Sequence, residues 1–371
     1  MRVADYLTHL DWDDISMQIA AKNAVDVRCA LSATQPTLDD FLALVSPAAE
    51  PFIETMAQQS VQLTRARFGN TISFFIPLYL SNLCANECTY CGFTMSNRIK
   101  RKTLSPDEVA SEAVAIKKMG INSVLVVTGE HEKKVGMAYF RQVIPLLKSF
   151  FDYLTMEVQP LSTLDYAELK QLGVDAILVY QETYHARRYG LFHQRGNKTD
   201  FDYRLDTADR IGQAQLDKIG LGALLGLSDW RTDSAFVAAH ALAIQKKYWR
   251  SRVSIAFPRI QPCTGQNDPN ITRGPSEKQL VQLICAHRIL NPQAELTLST
   301  RESAHFRNNV IPLGITHISA ASQTQPGGYS NAEENLKQFE TDDSRSVAAM
   351  ATQIHRSGLD TVFTDWLPGF S

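Results

Sequence analysis

From residue 71 onward, short apolar runs of β-favouring residues alternate with amphipathic segments of helical length, and the alternation repeats eight times. The runs are ISFFIPLYL (72–80), SVLVVTG (123–129), YLTMEV (153–158), DAILVY (175–180), IGLGALLGL (219–227), RVSIAFP (252–258), ELTLST (295–300) and ITHISAA (315–321). Continuously apolar strands separated by helices call for a parallel sheet buried on both faces. Between the first two runs, SPDEVASEAVAIKKMG offers Ser105 as a cap, Pro106 at the first helical position, Glu108 to complete a capping box and Gly120 as a stop. TLDYAELKQLG repeats the pattern and stops at Gly173. Eight units over roughly 260 residues fit a (β/α)8 barrel of the TIM type. A doubly wound open sheet also satisfies the alternation, but it calls for a Gly-rich phosphate turn after the first strand. Here that position is taken by CANECTYCGF (84–93).

The remainder of the chain divides around this core. Residues 1–70 read as a helical N-terminal extension, with helical spacing in TLDDFLALVSP and one brief strand-like alternation at Val25 and Val27. The barrel is expected over 71–325, followed by a C-terminal segment, 326–371, packing on it. QPGGYSNAEENLKQFETDD (325–343) is the most polar stretch and reads as a surface loop and helix. Of the 371 residues 44% are hydrophobic, the net charge is −2, and RIKRK (98–102) is the one short basic run. Neither a nucleic-acid footprint nor a membrane anchor is expected from that balance. The N-terminus carries Asp5, Asp11, Asp13 and Asp14 in place of a signal peptide's apolar region, and no window has the length of a membrane span. Six cysteines, three clustered and three scattered, do not form the dense framework of a secreted domain, so the expected compartment is the reducing cytoplasm.

Cys84, Cys88 and Cys91 follow the first strand, at the face where barrel enzymes assemble active sites from their βα loops. Their spacing also suits one face of a helix, which Asn82, Asn86, Thr89 and Gly92 disfavour. A structural zinc site needs four ligands, and the segment supplies no histidine as the fourth. Thiolates suit iron–sulfur clusters, and three of them would hold three irons of a [4Fe–4S] cubane while leaving the fourth iron open to N and O donors.

CANECTYC, with Tyr90 before the third cysteine, resembles the signature of the radical S-adenosylmethionine superfamily. The resemblance implies a [4Fe–4S] cluster on Cys84, Cys88 and Cys91, with S-adenosylmethionine chelated at the open iron and cleaved reductively to a 5′-deoxyadenosyl radical. VVTGEH (126–131) resembles the family's Gly-Gly-Glu motif, with Thr128 in place of the first glycine and Glu130 retained for the methionine ammonium. MEVQP, YQETY and GLGALLGL resemble the ribose, methionine and adenine contacts at later strand ends. Glu157 and Glu182 fall at the ends of the third and fourth strands, where buried acids need partners. Arg204 and Arg210 in DYRLDTADR are the candidates; exposed helix pairs with Asp206 or Asp209 are the alternative, and for Arg204 the functional reading is preferred to it. Arg301 in LSTRES and Ser319 in HISAAS end the last two strands and form a plausible α-carboxylate clamp; Arg301 could instead cap the next helix.

Taken together, PLYLSNLCANECTYCGF, SNRIKRKTL, VTGEH, KIGLGALLGLSDWR, FPRIQPCTG, STRES and QPGGY resemble the tyrosine lyase family of thiamine biosynthesis over nearly the whole chain. That resemblance implies cleavage of the Cα–Cβ bond of L-tyrosine to 2-iminoacetate (dehydroglycine) and 4-cresol. It further implies a flavodoxin- or ferredoxin-type electron donor and hand-over of the labile imine to a thiazole synthase. A lyase acting on tryptophan and a hydrogenase-maturase type of tyrosine lyase are the nearby alternatives. The maturase type carries a second cluster on C-terminal cysteines, whereas no cysteine here follows Cys285. Cys263 and Cys285 are expected to be ordinary buried or semi-buried thiols. A zinc-stabilised binding module without catalysis is the reading from another class.

Overall fold

The computed structural model describes residues 2–263, 268–272, 274–331 and 337–364. Eight parallel strands form the core: β1 (Thr71–Ser81), β2 (Ser123–Thr128), β3 (Tyr153–Glu157), β4 (Ala176–Leu178), β5 (Lys218–Gly222), β6 (Arg252–Ala256), β7 (Glu295–Leu298) and β8 (His317–Ser319). Neighbours in sequence are neighbours in the sheet, and β8 returns to pair with β1 through Ser73 opposite His317 and Phe75 opposite Ser319. The sheet is therefore a closed (β/α)8 barrel, and the doubly wound alternative is excluded.

The strands are shorter than the apolar runs. The fourth stops at Leu178 instead of Tyr180, and the fifth at Gly222 instead of Leu227. Beyond those points the backbone leaves the ladder to form the loops of the C-terminal mouth, and apolarity alone does not register the change. A ninth strand absent from the sequence reading, β9 (Asp360–Val362), pairs with the first residues of β1, Thr71–Ser73, below the point where β2 takes over that edge.

The helices follow their local signals. Ser105 accepts from the Glu108 N–H while Glu108 accepts from the Ser105 N–H, and the helix Pro106–Lys117 buries Val109, Ala113 and Ile116 at positions i, i+4 and i+7. Ser162 and Asp165 form the same box on Thr163–Leu172, which stops at Gly173. In the extension the helices are Val3–Thr8, Trp12–Ala21, Ala24–Ser32, Leu38–Val45 and Ile53–Phe68. The alternation at Val25 and Val27 is thus helical, because Asn23 caps the segment and only Val27 is buried. Helix Leu38–Val45 buries Phe41, Leu42, Leu44 and Val45, each contributing roughly 1.5–3 kcal/mol. Gln282 fastens this helix by donating to the carbonyls of Leu44 and Ser46 at 2.8 Å each.

The stretch read as a surface loop and helix differs most from expectation. Thr324 to Gly328 are buried, Gln338 and Phe339 line the barrel mouth, and no helix occurs among the described residues of 325–343. Tyr329 accounts for the inward path: its hydroxyl donates to Pro77 O of β1 at 2.8 Å, and its N–H donates to the buried Glu112 at 3.1 Å.

Candidate active site

A cavity opens at the C-terminal end of the barrel, and ten of the eleven side chains singled out in the sequence line it. Cys84, Cys88, Tyr90 and Cys91 come from the loop after β1. That loop is not helical: Glu87–Cys88 pairs antiparallel with His193–Arg195, which excludes the buried-helix reading of the cysteine spacing. Its shape is held from inside. The Cys88 N–H donates to Thr94 Oγ1 at 2.8 Å, and the Arg101 guanidinium donates to the carbonyls of Asn82, Phe93, Thr94 and Asn97. Gly129 lets the end of β2 seat against this loop, since a Cβ there would lie 2.4 Å from Leu83 O. The Ala85 N–H then donates to Glu130 O at 2.9 Å.

Behind the thiols lies a buried ring of alternating charge. Glu130 accepts from Arg204 Nη1 at 3.0 Å and from Asn86 Nδ2 at 2.7 Å. Glu182 accepts from Lys198 Nζ at 2.6 Å and lies 3.4 Å from Arg204 Nη2. All four charged side chains are at most 15% exposed. Burial pushes the Glu182 carboxyl up, but Lys198 and Arg204 together outweigh it and hold the group down at about 2. Glu182 also occupies the left-handed region with φ 70°, held there because its carbonyl accepts from the Leu224 N–H at 2.7 Å. Glu157 shares the cavity and behaves oppositely. Burial, with the Glu182 charge beside it, raises its carboxyl to about 7, against the weaker pull of Arg301, Lys198 and Arg204.

Tyr90 reaches sideways from the cysteine loop. His193 Nδ1 sits 2.8 Å from Tyr189 O, so the network assigns the proton to that nitrogen and leaves Nε2 to accept from the Tyr90 hydroxyl at 2.8 Å. On the opposite wall Arg301 presents its guanidinium over the Phe339 ring at 3.5 Å. Ser303, not Arg301, caps the following helix, Ala304–Gly314. Ser319 accepts from the Thr300 N–H at 3.1 Å, which leaves its own proton available to the cavity.

Arg210 is the residue the structure does not bring in. Its guanidinium donates to Leu161 O, Tyr203 O and Thr207 Oγ1 and lies 3.8 Å from the Tyr203 ring centroid, within the helix layer. Lys198, Asn86 and His193 are the members that sequence reasoning missed. Lys198 follows a Gly-Asn turn with no motif around it, and only the fold shows that its largely buried ammonium meets Glu182. Cys263, expected to be an ordinary thiol, lies against the cysteine loop and donates to Tyr90 O at 3.3 Å.

The donor set fits a cluster better than a single ion. Among the described residues no three His, Cys, Asp or Glu side chains converge on one ion-sized position, although all three thiols share one wall. In a cubane each thiolate holds a different iron, whereas mononuclear zinc draws its ligands to a common centre. Two hydroxyls in the same cavity, Thr128 Oγ1 and Ser322 Oγ, are buried without a hydrogen-bond partner. Groups of that kind call for a polar ligand.

Comparisons with known proteins agree with this arrangement. Residues 78–236 match the Radical SAM superfamily and residues 256–360 match the Biotin and Thiamin Synthesis associated domain. The chain is 56% identical to the 2-iminoacetate synthase of Escherichia coli (strain K12) over 364 residues, 98% of this chain and 96% of that one. This chain belongs to the 2-iminoacetate synthase family. The 2-iminoacetate synthase of Salmonella typhimurium is 54% identical over a matching span. Among solved structures, the FeFe-hydrogenase maturase HydG from Carboxydothermus hydrogenoformans superposes with a TM-score of 0.85 at 30% identity, over 96% of this chain and 81% of that one. Methylornithine synthase (PylB), at 17% identity and a TM-score of 0.71, shares the fold. As a member of the family the chain carries a [4Fe–4S] cluster and uses S-adenosylmethionine.

Proposed function

We propose that this chain cleaves the Cα–Cβ bond of L-tyrosine, yielding 2-iminoacetate and 4-cresol with 5′-deoxyadenosine and methionine, for the thiazole moiety of thiamine. One observation carries the reading: three thiols, a buried ring of alternating charge and an arginine–serine clamp line a single cavity at the C-terminal mouth of the barrel. Cys84, Cys88 and Cys91 would hold the cluster, which when bound supplies the electron for cleaving the sulfonium.

The chain's own groups then have distinct tasks. Glu130 would accept the ammonium of S-adenosylmethionine, for which it already has the right charge and two fixed donors. Lys198 and Arg204, bridged by Glu182, would take the methionine carboxylate. Tyr90 would shape the adenosine pocket from below. Glu157, carrying a proton up to about pH 7, can both donate to and accept from the ribose hydroxyls. Arg301 and Ser319 would hold the carboxylate of tyrosine and direct its amino group towards the deoxyadenosyl carbon, where hydrogen abstraction starts the cleavage. Arg210 has no part in this set.

A flavodoxin- or ferredoxin-type protein is the proposed electron source. The hydrolytically labile imine argues for direct hand-over to a thiazole synthase. The cysteines are all unbridged, which suits a reducing cytoplasm, and among the described residues no helix is long and apolar enough to cross a membrane. The deciding experiment is anaerobic incubation of the reconstituted chain with dithionite, S-adenosylmethionine and tyrosine. Cresol and 5′-deoxyadenosine in step are expected; 5′-deoxyadenosine without cresol would remove tyrosine as the substrate. An indole fragment released from tryptophan instead would transfer the assignment to that amino acid.

A further inference from the structure

The segment Lys337–Phe339 touches both halves of the reaction site, and neither contact is accounted for by the assignments above. Gln338 Oε1 accepts from the Tyr79 hydroxyl at 2.7 Å, and its Nε2 donates to Cys91 Sγ at 3.6 Å. The next residue, Phe339, lays its ring under the Arg301 guanidinium at 3.5 Å from the centroid. Adjacent residues of one backbone therefore hold a sulfur of the thiol wall and the arginine of the substrate clamp.

The strap is tied at both ends. The Gln338 N–H donates to Thr324 O at 2.9 Å, and the Thr324 hydroxyl donates to Phe339 O at 2.8 Å. Beyond them the N–H groups of Asp342 and Asp343 donate to Thr300 O at 3.0 and 3.2 Å, beside Arg301 itself. From below, the cysteine loop meets the strap so closely that a Cβ at Gly92 would lie 2.4 Å from Gln338 O. Side chains anchored this way have little freedom to point elsewhere.

Hydrogen-bond polarity fixes the direction of the Gln338 amide. A thiolate can only accept, so the amide nitrogen must face Cys91 when that residue is a ligand. The carbonyl oxygen then faces Tyr79, which must donate. Burial, reinforced by Glu157, pushes the Tyr79 phenol well above its ordinary range, so it keeps its proton. Tyr79, Gln338 and Cys91 form a chain whose every donor points toward the sulfur. Hydrogen bonds to ligating sulfur stabilise the more reduced, more negative cluster and raise its reduction potential.

We propose that Gln338 and Phe339 are positioning residues of the lyase: Gln338 holds Cys91 and sets the cluster potential, while Phe339 fixes the orientation in which Arg301 receives the amino-acid carboxylate. The proposal rests on the functional reading given above. Its test uses the reconstituted full-length chain in five forms, wild type, Gln338→Leu, Gln338→Glu, Phe339→Leu and Phe339→Trp. In an electron paramagnetic resonance titration, read per assembled cluster, the midpoint potential falls in the order wild type, Gln338→Leu, Gln338→Glu, as a donor is removed and then replaced by a negative charge. In steady state Phe339→Leu raises KM for tyrosine roughly tenfold, the ~1.4 kcal/mol of a partly desolvated cation–π contact. KM for S-adenosylmethionine stays unchanged, and Phe339→Trp restores the wild-type value for tyrosine. A Gln338→Leu potential equal to wild type overturns the first half of the proposal. A Phe339→Leu effect equal for both cosubstrates, or one that tryptophan fails to rescue, overturns the second. If the wild type itself releases no cresol from tyrosine, the functional reading fails while the potential series still decides the role of Gln338.

Discussion

Clusters of ion pairs stand at both ends of the barrel, yet the ends differ in what those pairs leave undone. At the N-terminal end Glu295 meets Lys218 at 2.7 Å and Arg252 at 2.7 Å, and Arg252 continues to Asp217 at 2.5 Å. The Tyr153 hydroxyl donates to the same Asp217 at 2.7 Å. Here positive and negative groups saturate one another and the network acts as a plug. At the C-terminal mouth the ring of Glu130, Arg204, Glu182 and Lys198 is more deeply buried than Arg252 and Asp217, yet it adjoins unpartnered hydroxyls and includes a glutamate in the left-handed region. The same residue types close one end of the fold and prepare the other for a ligand.

The largest expected effect lies at the mouth. Cys88→Ala should leave the apo chain folded but unable to assemble the cluster, with formation of 5′-deoxyadenosine reduced at least a thousandfold; iron and sulfide content with product analysis checks this. Next comes the plug. Glu295→Gln leaves two cations without their shared carboxylate and should cost about 3–5 kcal/mol in denaturant unfolding of the apo chain. Glu182→Gln should do the reverse, raising KM for S-adenosylmethionine about 10- to 100-fold while lowering stability less than Glu295→Gln does. Equal stability losses at both ends would abolish the contrast.

Proton linkage sharpens the comparison further. Burial raises the Glu295 carboxyl, but His317, Lys218 and Arg252 outweigh it and hold the group at about 2, below its ordinary 4.5. Its stabilising contribution is present above pH 4.5 and is lost as pH falls towards 2. Glu157 stands at about 7, so its folded form retains a proton that the unfolded chain has released. The resulting penalty is absent below pH 4.5 and complete above 7. Unfolding free energies across pH 2–8 should therefore show Glu157→Gln gaining on wild type between pH 4.5 and 7 as pH rises, by about 3 kcal/mol, whereas the deficit of Glu295→Gln should hold steady above pH 4.5 and shrink below it. Parallel profiles would contradict the assignment. The smallest effect is expected for Arg210→Lys, with less than a twofold change in KM for S-adenosylmethionine, because the guanidinium is engaged outside the cavity.

What the sequence reveals follows the range of the forces involved. The cysteine spacing, the capping boxes at Ser105 and Ser162 and the eight apolar runs are local, and each is legible within about fifteen residues. Lys198 and Gln338 are not: no motif or periodicity marks Lys198 although Glu182 is only 16 positions away, and Gln338 acquires meaning from Cys91, 247 positions before it. Arg210 illustrates the converse. Its sequence context resembles that of Arg204, and only the direction of the side chain separates a buried cavity cation from a clasp between helices. The polar stretch 325–343 misleads because some of its polar side chains, Gln338 among them, serve hydrogen bonds inside the mouth, although Ser330, Asn331, Lys337 and Glu340 remain exposed.

The position of β9 bears on how the molecule is made. β1, which leads directly into the cysteine loop, is completed by β8 at residues 317–319 and by β9 at 360–362, more than two hundred residues downstream. Loop closure over such separations is slow, so this seam forms late in folding. During synthesis the three thiols therefore leave the ribosome long before the walls that enclose them. The nascent chain passes through a period in which those sulfurs stand without the strands that close the barrel around them.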